Sequence, residues 1–155
     1  MTDNPMTLDA VLLDELRRRR AELRESLSAL EMALAAPAGN GHERWAERVH
    51  VALVELAADL RLHVTLTEGP GGLYNELREA DPRLSRAVDG LCAEHVRLHE
   101  DLDDLLLMLD TAYPSSVAEA VRHGGNMVLG GFARHRQRGE DLVYEAFKVD
   151  VGGET

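Results

Sequence analysis

Three stretches of this chain place imidazole beside carboxylate. They are His63-Val64-Thr65-Leu66-Thr67-Glu68, Glu94-His95-Val96-Arg97-Leu98-His99 and His135-Arg136-Gln137-Arg138-Gly139-Glu140. Histidine and glutamate together ligate divalent metals, and a mixed imidazole and carboxylate set suits iron, manganese or zinc better than copper(I). Residues four apart share one face of a helix, so His95 and His99 can reach a single centre. The five-residue steps from His63 to Glu68 and from His135 to Glu140 rotate the carboxylate by about 140° from its histidine. Such a pair converges only if glutamate uses its reach or the helix bends, and Gly69 and Gly139 lie where a bend would help. A lone core histidine is more often satisfied by a backbone or water hydrogen bond than by a metal. Several histidines at core phase, each with a carboxylate nearby, set a metal site beside that plainer reading.

The elements that position these residues read as four long helices. The first, about 8–36, has the apolar stripe Leu12, Leu16, Leu23, Leu27, Leu30 and Leu34, broken at Arg19 and Arg20 inside the run Arg17 to Arg20. Thr7 or Asp9 can cap it, and Pro37, Gly39 and Asn40 end it. The second, about 42–67, carries Val49, Leu53, Leu56, Leu60, His63 and Thr67 on one stripe, so His63 takes a core position. A glycine-rich break, 68–72, follows. It lacks the Lys-Ser/Thr of a phosphate loop and comes after a helix, so a bend that turns Glu68 inward is the better reading.

Leu73 to Glu79 forms a short helical turn. Asp81 then caps a third long helix, about 82–112, with Pro82 at its first position and the stripe Leu84, Val88, Leu91, His95, Leu98, Leu102 and Leu105. The fourth, about 116–147, is capped by Ser115 or Ser116 and carries Val121, Val128, Phe132, His135 and Leu142. The pairs Gly124-Gly125 and Gly130-Gly131 either weaken it or let a neighbour approach closely. Met1 to Met6 read as a short lead, and Val149 to Thr155 as a short polar tail. Four amphipathic helices without alternating strand patterns indicate an all-α, antiparallel up-down four-helix bundle, a single domain over 1–155.

Composition fits that architecture. Among 155 residues, 45% are hydrophobic but only 4% aromatic, so the core is built from Leu, Val and Ala. A net charge of -11 repels phosphate backbones, which argues against nucleic acid as a partner. The single cysteine, Cys92, excludes an internal disulfide and reads as a small buried hydrophobe on the third-helix flank. With no signal-peptide pattern and no apolar run of spanning length, a soluble cytoplasmic protein with no membrane partner is expected. A homodimer is compatible with the sequence, although no particular stretch specifies one. His42, His50 and His123 lie away from the three stretches and are expected at the surface.

The order His-x4-Glu, Glu-His-x3-His, His-x4-Glu along four helices resembles the hemerythrin-like (HHE cation-binding) family. The words Thr67-Glu68-Gly69-Pro70-Gly71-Gly72-Leu73-Tyr74, Ala93-Glu94-His95 and His135 through Glu145 are similar to its actinobacterial members. The resemblance implies a non-haem di-iron centre bridged by carboxylates and an oxo or hydroxo group, which binds, senses or reduces O2, peroxide or nitric oxide. It implies metal ligands at His63, Glu68, His95, His99, His135 and Glu140.

The chain departs from the family pattern at three points. Thr67 stands where the second-helix carboxylate is expected, the last carboxylate is Glu rather than Asp, and the first helix has no histidine. Glu15, Glu22 or water are the candidates for the missing ligand. The alternative is a metal-free or single-metal bundle, holding zinc, manganese or nothing, in which Arg19 or Arg20 neutralises the carboxylates and the bundle serves as a binding or structural module. If the chain is an enzyme, di-iron oxidoreductase chemistry on O2, peroxide or an organic substrate is the expectation. Tyr74 and Tyr144, each about one turn beyond a carboxylate, could hydrogen-bond a ligand or simply close helix ends.

Overall fold

The computed structural model describes residues 7–151; the expected lead Met1–Met6 and the tail residues 152–155 lie outside them. Five α-helices account for most of the described chain: α1 (Ala10–Ala35), α2 (His42–Glu68), α3 (Leu73–Ala80), α4 (Ser85–Thr111) and α5 (Pro114–Phe147). No strand occurs among the described residues. Four of the helices are long and pack as a bundle. α1 lies against α2 and α5, and α4 lies against the same two helices. Among the described residues, no helix is long and apolar enough to cross a membrane.

Local chemistry sets the ends of these helices. The Asp9 carboxylate accepts the Val11 N–H at the start of α1, satisfying a donor that has no partner within the helix. At the other end of α1, Arg122 of α5 donates from Nε to the Leu34 carbonyl and from a terminal nitrogen to the Ala36 carbonyl, both at 3.1 Å. α2 stops at Glu68 because the next residues turn tightly. Gly71 has φ +72°, and a Cβ on Gly72 would meet the carbonyl oxygens of Leu66, Gly69 and Thr67 at 2.6–2.8 Å. The short α3 buries Leu73, Tyr74 and Leu77.

Two starts differ from expectation. Asp81 accepts the Arg83 N–H at 3.0 Å, but Pro82 opens a 3-10 turn, Pro82–Leu84, and α4 proper begins at Ser85. α5 begins at Pro114, with Tyr113 at the cap and no side-chain cap bond, so Ser115 and Ser116 lie inside its first turn. Proline fixes φ for the first helical position and lacks the N–H that would go unsatisfied there, which lets the helix start early.

Most of the expected stripe residues form the core, but Leu12, Leu23 and Leu27 of α1 are half-buried and on α5 Val143 is buried rather than Leu142. Val49, Leu53, Leu56 and Leu60 of α2 are buried, as are Leu91, Leu98, Leu102 and Leu105 of α4 and Val121, Val128 and Phe132 of α5. Each fully buried side chain of this kind contributes about 1.5–3 kcal/mol relative to exposure. The α5 glycines serve close approach. A Cβ on Gly125 would lie 2.5 Å from a Leu34 methyl, and one on Gly124 would lie 2.8 Å from a Leu105 methyl.

The apolar interior is divided in two. One cluster holds Leu30, Leu60, Leu98 and Phe132; the other holds Leu16, Leu73, Leu91 and Val143. Along each long helix, one polar residue stands between the two clusters: Arg20 on α1, His63 on α2, His95 on α4 and His135 on α5. The bundle is thus two hydrophobic cores separated by one polar layer.

Candidate metal centre

The inward placement of His63, which is half-buried, and of the buried His95 and His135 follows from the 3.6-residue period, since each occupies the stripe position that leucine or valine fills elsewhere on its helix. His95 and His135 are 1% and 5% exposed. Their ring nitrogens and one of His63 lie within 4.8 Å of one another. The Nε2 atoms of His95 and His135 are 3.0 Å apart, and those of His135 and His63 are 3.4 Å apart.

The opposite ring nitrogens are tied to carboxylates. His95 Nδ1–H donates to Glu68 Oε2 at 2.5 Å, and His135 Nδ1–H donates to Glu94 Oε1 at 3.0 Å. An ionised carboxylate only accepts hydrogen bonds, so each Nδ1 carries the proton and each Nε2 presents a lone pair. All three imidazoles are held neutral. Burial lowers the pKa of each, His135 to about 4, and the neighbouring imidazoles push His63 and His135 further down. Glu68 acts against burial at His95, and Glu94 does so at His135, without reversing the direction.

Two lone pairs facing each other at 3.0 Å repel unless a cation lies between them. For a metal–nitrogen bond of about 2.0–2.1 Å, two ligands at 90–110° stand about 2.9–3.4 Å apart. The separations of 3.0 and 3.4 Å fall in that window. Metal-bound histidines commonly donate their other N–H to a carboxylate, which fixes the tautomer and raises ligand basicity. The His95–His135 and His135–His63 pairs therefore each fit a shared transition-metal ion, and the three ligand atoms lie within 4.8 Å of one another.

The surrounding residues occupy distinct places. Tyr74 donates its hydroxyl to His95 Nε2 at 3.2 Å, its ring stacks on that imidazole at 5.6 Å, and burial pushes its pKa up. Thr67 is buried, and its hydroxyl donates back to the His63 carbonyl at 2.8 Å. Glu94 also accepts from Arg138; burial acts to raise its pKa, but the bonds from Arg138 and His135 outweigh it and hold the carboxyl low.

Of the six residues expected as ligands, the structure brings His63, His95 and His135 together at their Nε2 atoms. Glu68 meets His95 on its far nitrogen. His99 is half-buried, near enough to depress the pKa of His95, but its nitrogens are not in the converging group. Glu140 is paired with Arg20, on an α5 that runs unbroken through Gly139. On α1, Glu15 and Glu22 are taken up by Arg19, and Glu15 by Arg18 as well. Arg20 is the α1 member of the polar layer. Its side chain is 12% exposed, and no protein atom accepts its buried Nε–H. Burial lowers its pKa, with Arg136 and Arg24 adding to that and Glu140 opposing it.

Glu94 is the residue that sequence reasoning did not place at the site. It adjoins His95 and so points about 100° away from it on the helix, toward His135. The only signal was its pairing with His95 in a Glu-His word. Tyr144 is exposed with Lys148 above its ring, and Cys92 is a half-buried thiol whose pKa burial raises; neither belongs to the centre. His50 and His123 are exposed, and His42 is partly buried at the start of α2. Comparison with known proteins returned no matching family model, no matching curated protein and no matching solved structure.

Proposed function

We propose that this chain is a metal-binding bundle of hemerythrin-like type in which Nε2 of His63, His95 and His135 hold a first-row transition-metal ion and leave a position open to O2, peroxide or nitric oxide. One observation carries the reading: His95 and His135 turn lone pairs toward each other at 3.0 Å while separate carboxylates lock their tautomers. Iron is the ion the family resemblance implies, and zinc and manganese accept the same donors. The short connections between α1 and α2 and between α4 and α5 support an antiparallel up-down order of neighbours.

A bound ion supplies Lewis acidity or, for iron and manganese, redox chemistry at the open position. The chain does the rest. Glu68 and Glu94 orient two of the imidazoles, the flanking leucine clusters exclude bulk water, and the Tyr74 hydroxyl would have to give up the His95 Nε2 lone pair to a bound ion. Glu68, His99 and Glu140 are the residues from which a second ion would draw ligands, and Glu140 would have to leave Arg20 to serve.

The Arg20–Glu140 pair favours a second reading, in which arginine replaces one ligand and the bundle holds a single ion or none. Guanidinium and carboxylate form a strong charge-assisted pair, so a cation competes with Arg20 for Glu140. Elemental analysis of full-length protein, expressed with iron and purified without chelators, separates these readings. One ion per chain that is lost in His135→Ala supports the three-histidine centre, and two support a full di-iron site. If no ion is bound and added Fe(II), Zn(II) or Mn(II) leaves the melting temperature unchanged, the metal reading fails and a metal-free binding module remains.

A further inference from the structure

Arg20 has a feature that its pairing with Glu140 does not account for. One edge of the guanidinium meets the carboxylate through a terminal nitrogen, while the buried Nε–H has no acceptor. Two cavities of about 30 Å³ each lie against this side chain. Both are walled by Arg20, His63, His135 and Arg136. One is closed further by Tyr74 and Thr67, the other by Arg24 and Phe132. A space of that size is about twice what one water requires, so it suits a ligand of two or three heavy atoms and excludes an organic substrate.

Guanidiniums cluster at these cavities. Arg24 and Arg136 both act on Arg20 at close range, and neither makes an ion pair among the described residues. Glu140 faces Arg20 from α5, and Asp150 also contributes negative charge there. Arg20, Arg24 and Arg136 thus line these cavities with guanidiniums, while Glu68 and Glu94 lie behind the histidines on their far nitrogens. A guanidinium N–H fork is the side-chain geometry best suited to a planar oxyanion.

We infer that Arg20, supported by Arg24 and Arg136, forms an anion subsite beside the three histidines that takes a small monovalent oxyanion such as nitrite, with one oxygen on Arg20 Nε. This deepens the metal-centre reading by naming the ligand class of that site, and it also places Arg20 as a binding residue rather than only a neutraliser of Glu140. The guanidinium subsite exists with or without the ion, which allows the two ideas to be tested apart.

The test uses ¹⁵N-labelled full-length protein, metal-free and zinc-loaded, titrated with sodium nitrite against sodium sulfate at matched ionic strength. The Arg20 Nε–H resonance, assigned by its loss in Arg20→Lys, is expected to shift saturably with nitrite and to stay in place with sulfate, which is too large for the cavities. Nitrite should also raise the melting temperature of the wild type and of Arg18→Lys, an exposed arginine paired with Glu15. In Arg20→Lys, which keeps a cation for Glu140 but removes the Nε–H, the nitrite concentration needed should rise at least tenfold. An unmoved Arg20 resonance, an equal shift from sulfate, or an undiminished response in Arg20→Lys overturns the subsite. The wild-type resonance decides even if the variant folds poorly. Failure of zinc or iron to bind counts against the metal centre alone and leaves the nitrite result standing by itself.

Discussion

Nε2 of His95 and Nε2 of His135 face each other at 3.0 Å while Glu68 and Glu94 hold their Nδ1 protons. Because the carboxylates determine which nitrogen carries the proton, removing one should loosen the centre without touching a ligand atom. Glu94→Gln is expected to weaken metal affinity by about 10–100-fold, and His135→Ala to abolish it. Isothermal titration with Zn(II) reads both. Equal affinity in Glu94→Gln and wild type would show that the tautomer lock does not matter.

Protonation should act against the metal-free fold in a defined window. His135 titrates at about 4 in the folded chain against an ordinary value of 6.5, and His63 and His95 are also lowered. The unfolded chain therefore takes up these protons first as pH falls. Stability is indifferent to these groups above about pH 6.5, declines from there toward pH 4, and levels off below the folded-state values. His135 alone should remove on the order of 3 kcal/mol across that range. Urea melts of metal-free protein at stepped pH measure it, and a flat profile between pH 6.5 and 4 would contradict the burial argument.

Arg20 occupies the α1 position of the polar layer that the other three long helices fill with histidine. Arg20→His is therefore expected to free Glu140 and increase the number of metal ions bound per chain, read by elemental analysis after iron loading. An unchanged metal content would mean that α1 does not approach the imidazoles closely enough to contribute.

Two glycines on α5 should respond oppositely to the same change. A Cβ on Gly125 meets Leu34 at 2.5 Å, so Gly125→Ala should destabilise by about 1–3 kcal/mol through overpacking. A Cβ on Gly139 meets nothing within 4 Å, so Gly139→Ala should stabilise the helix by up to about 1 kcal/mol. Thermal melts of the two variants should shift in opposite directions.

The helices and the inward placement of His63, His95 and His135 were legible in the sequence because both follow from local periodicity. A residue at the phase of Leu60, Leu98 or Phe132 must face the same interior as they do, whatever its chemistry. Helix ends were less legible. Pro114 and Ser115 compete for the start of α5, and the balance between a preorganised φ and a side-chain cap is too small to read from residue type.

What only the tertiary structure decided is which atom meets which. Sequence spacing put Glu68, His99 and Glu140 in one candidate ligand set with the histidines, yet Glu68 lies behind His95, Glu140 is paired with Arg20, and Glu94 emerges as the partner of His135. Those pairings depend on how four helices rotate and translate against one another. A shift of a fraction of a turn there exchanges a ligand for a hydrogen-bond partner, while every hydrophobic stripe stays buried. The sequence alone thus determined a helical bundle with a polar layer across its core. The packing determined that this layer is three imidazoles, each of two backed by a carboxylate, closed on the fourth side by a buried guanidinium.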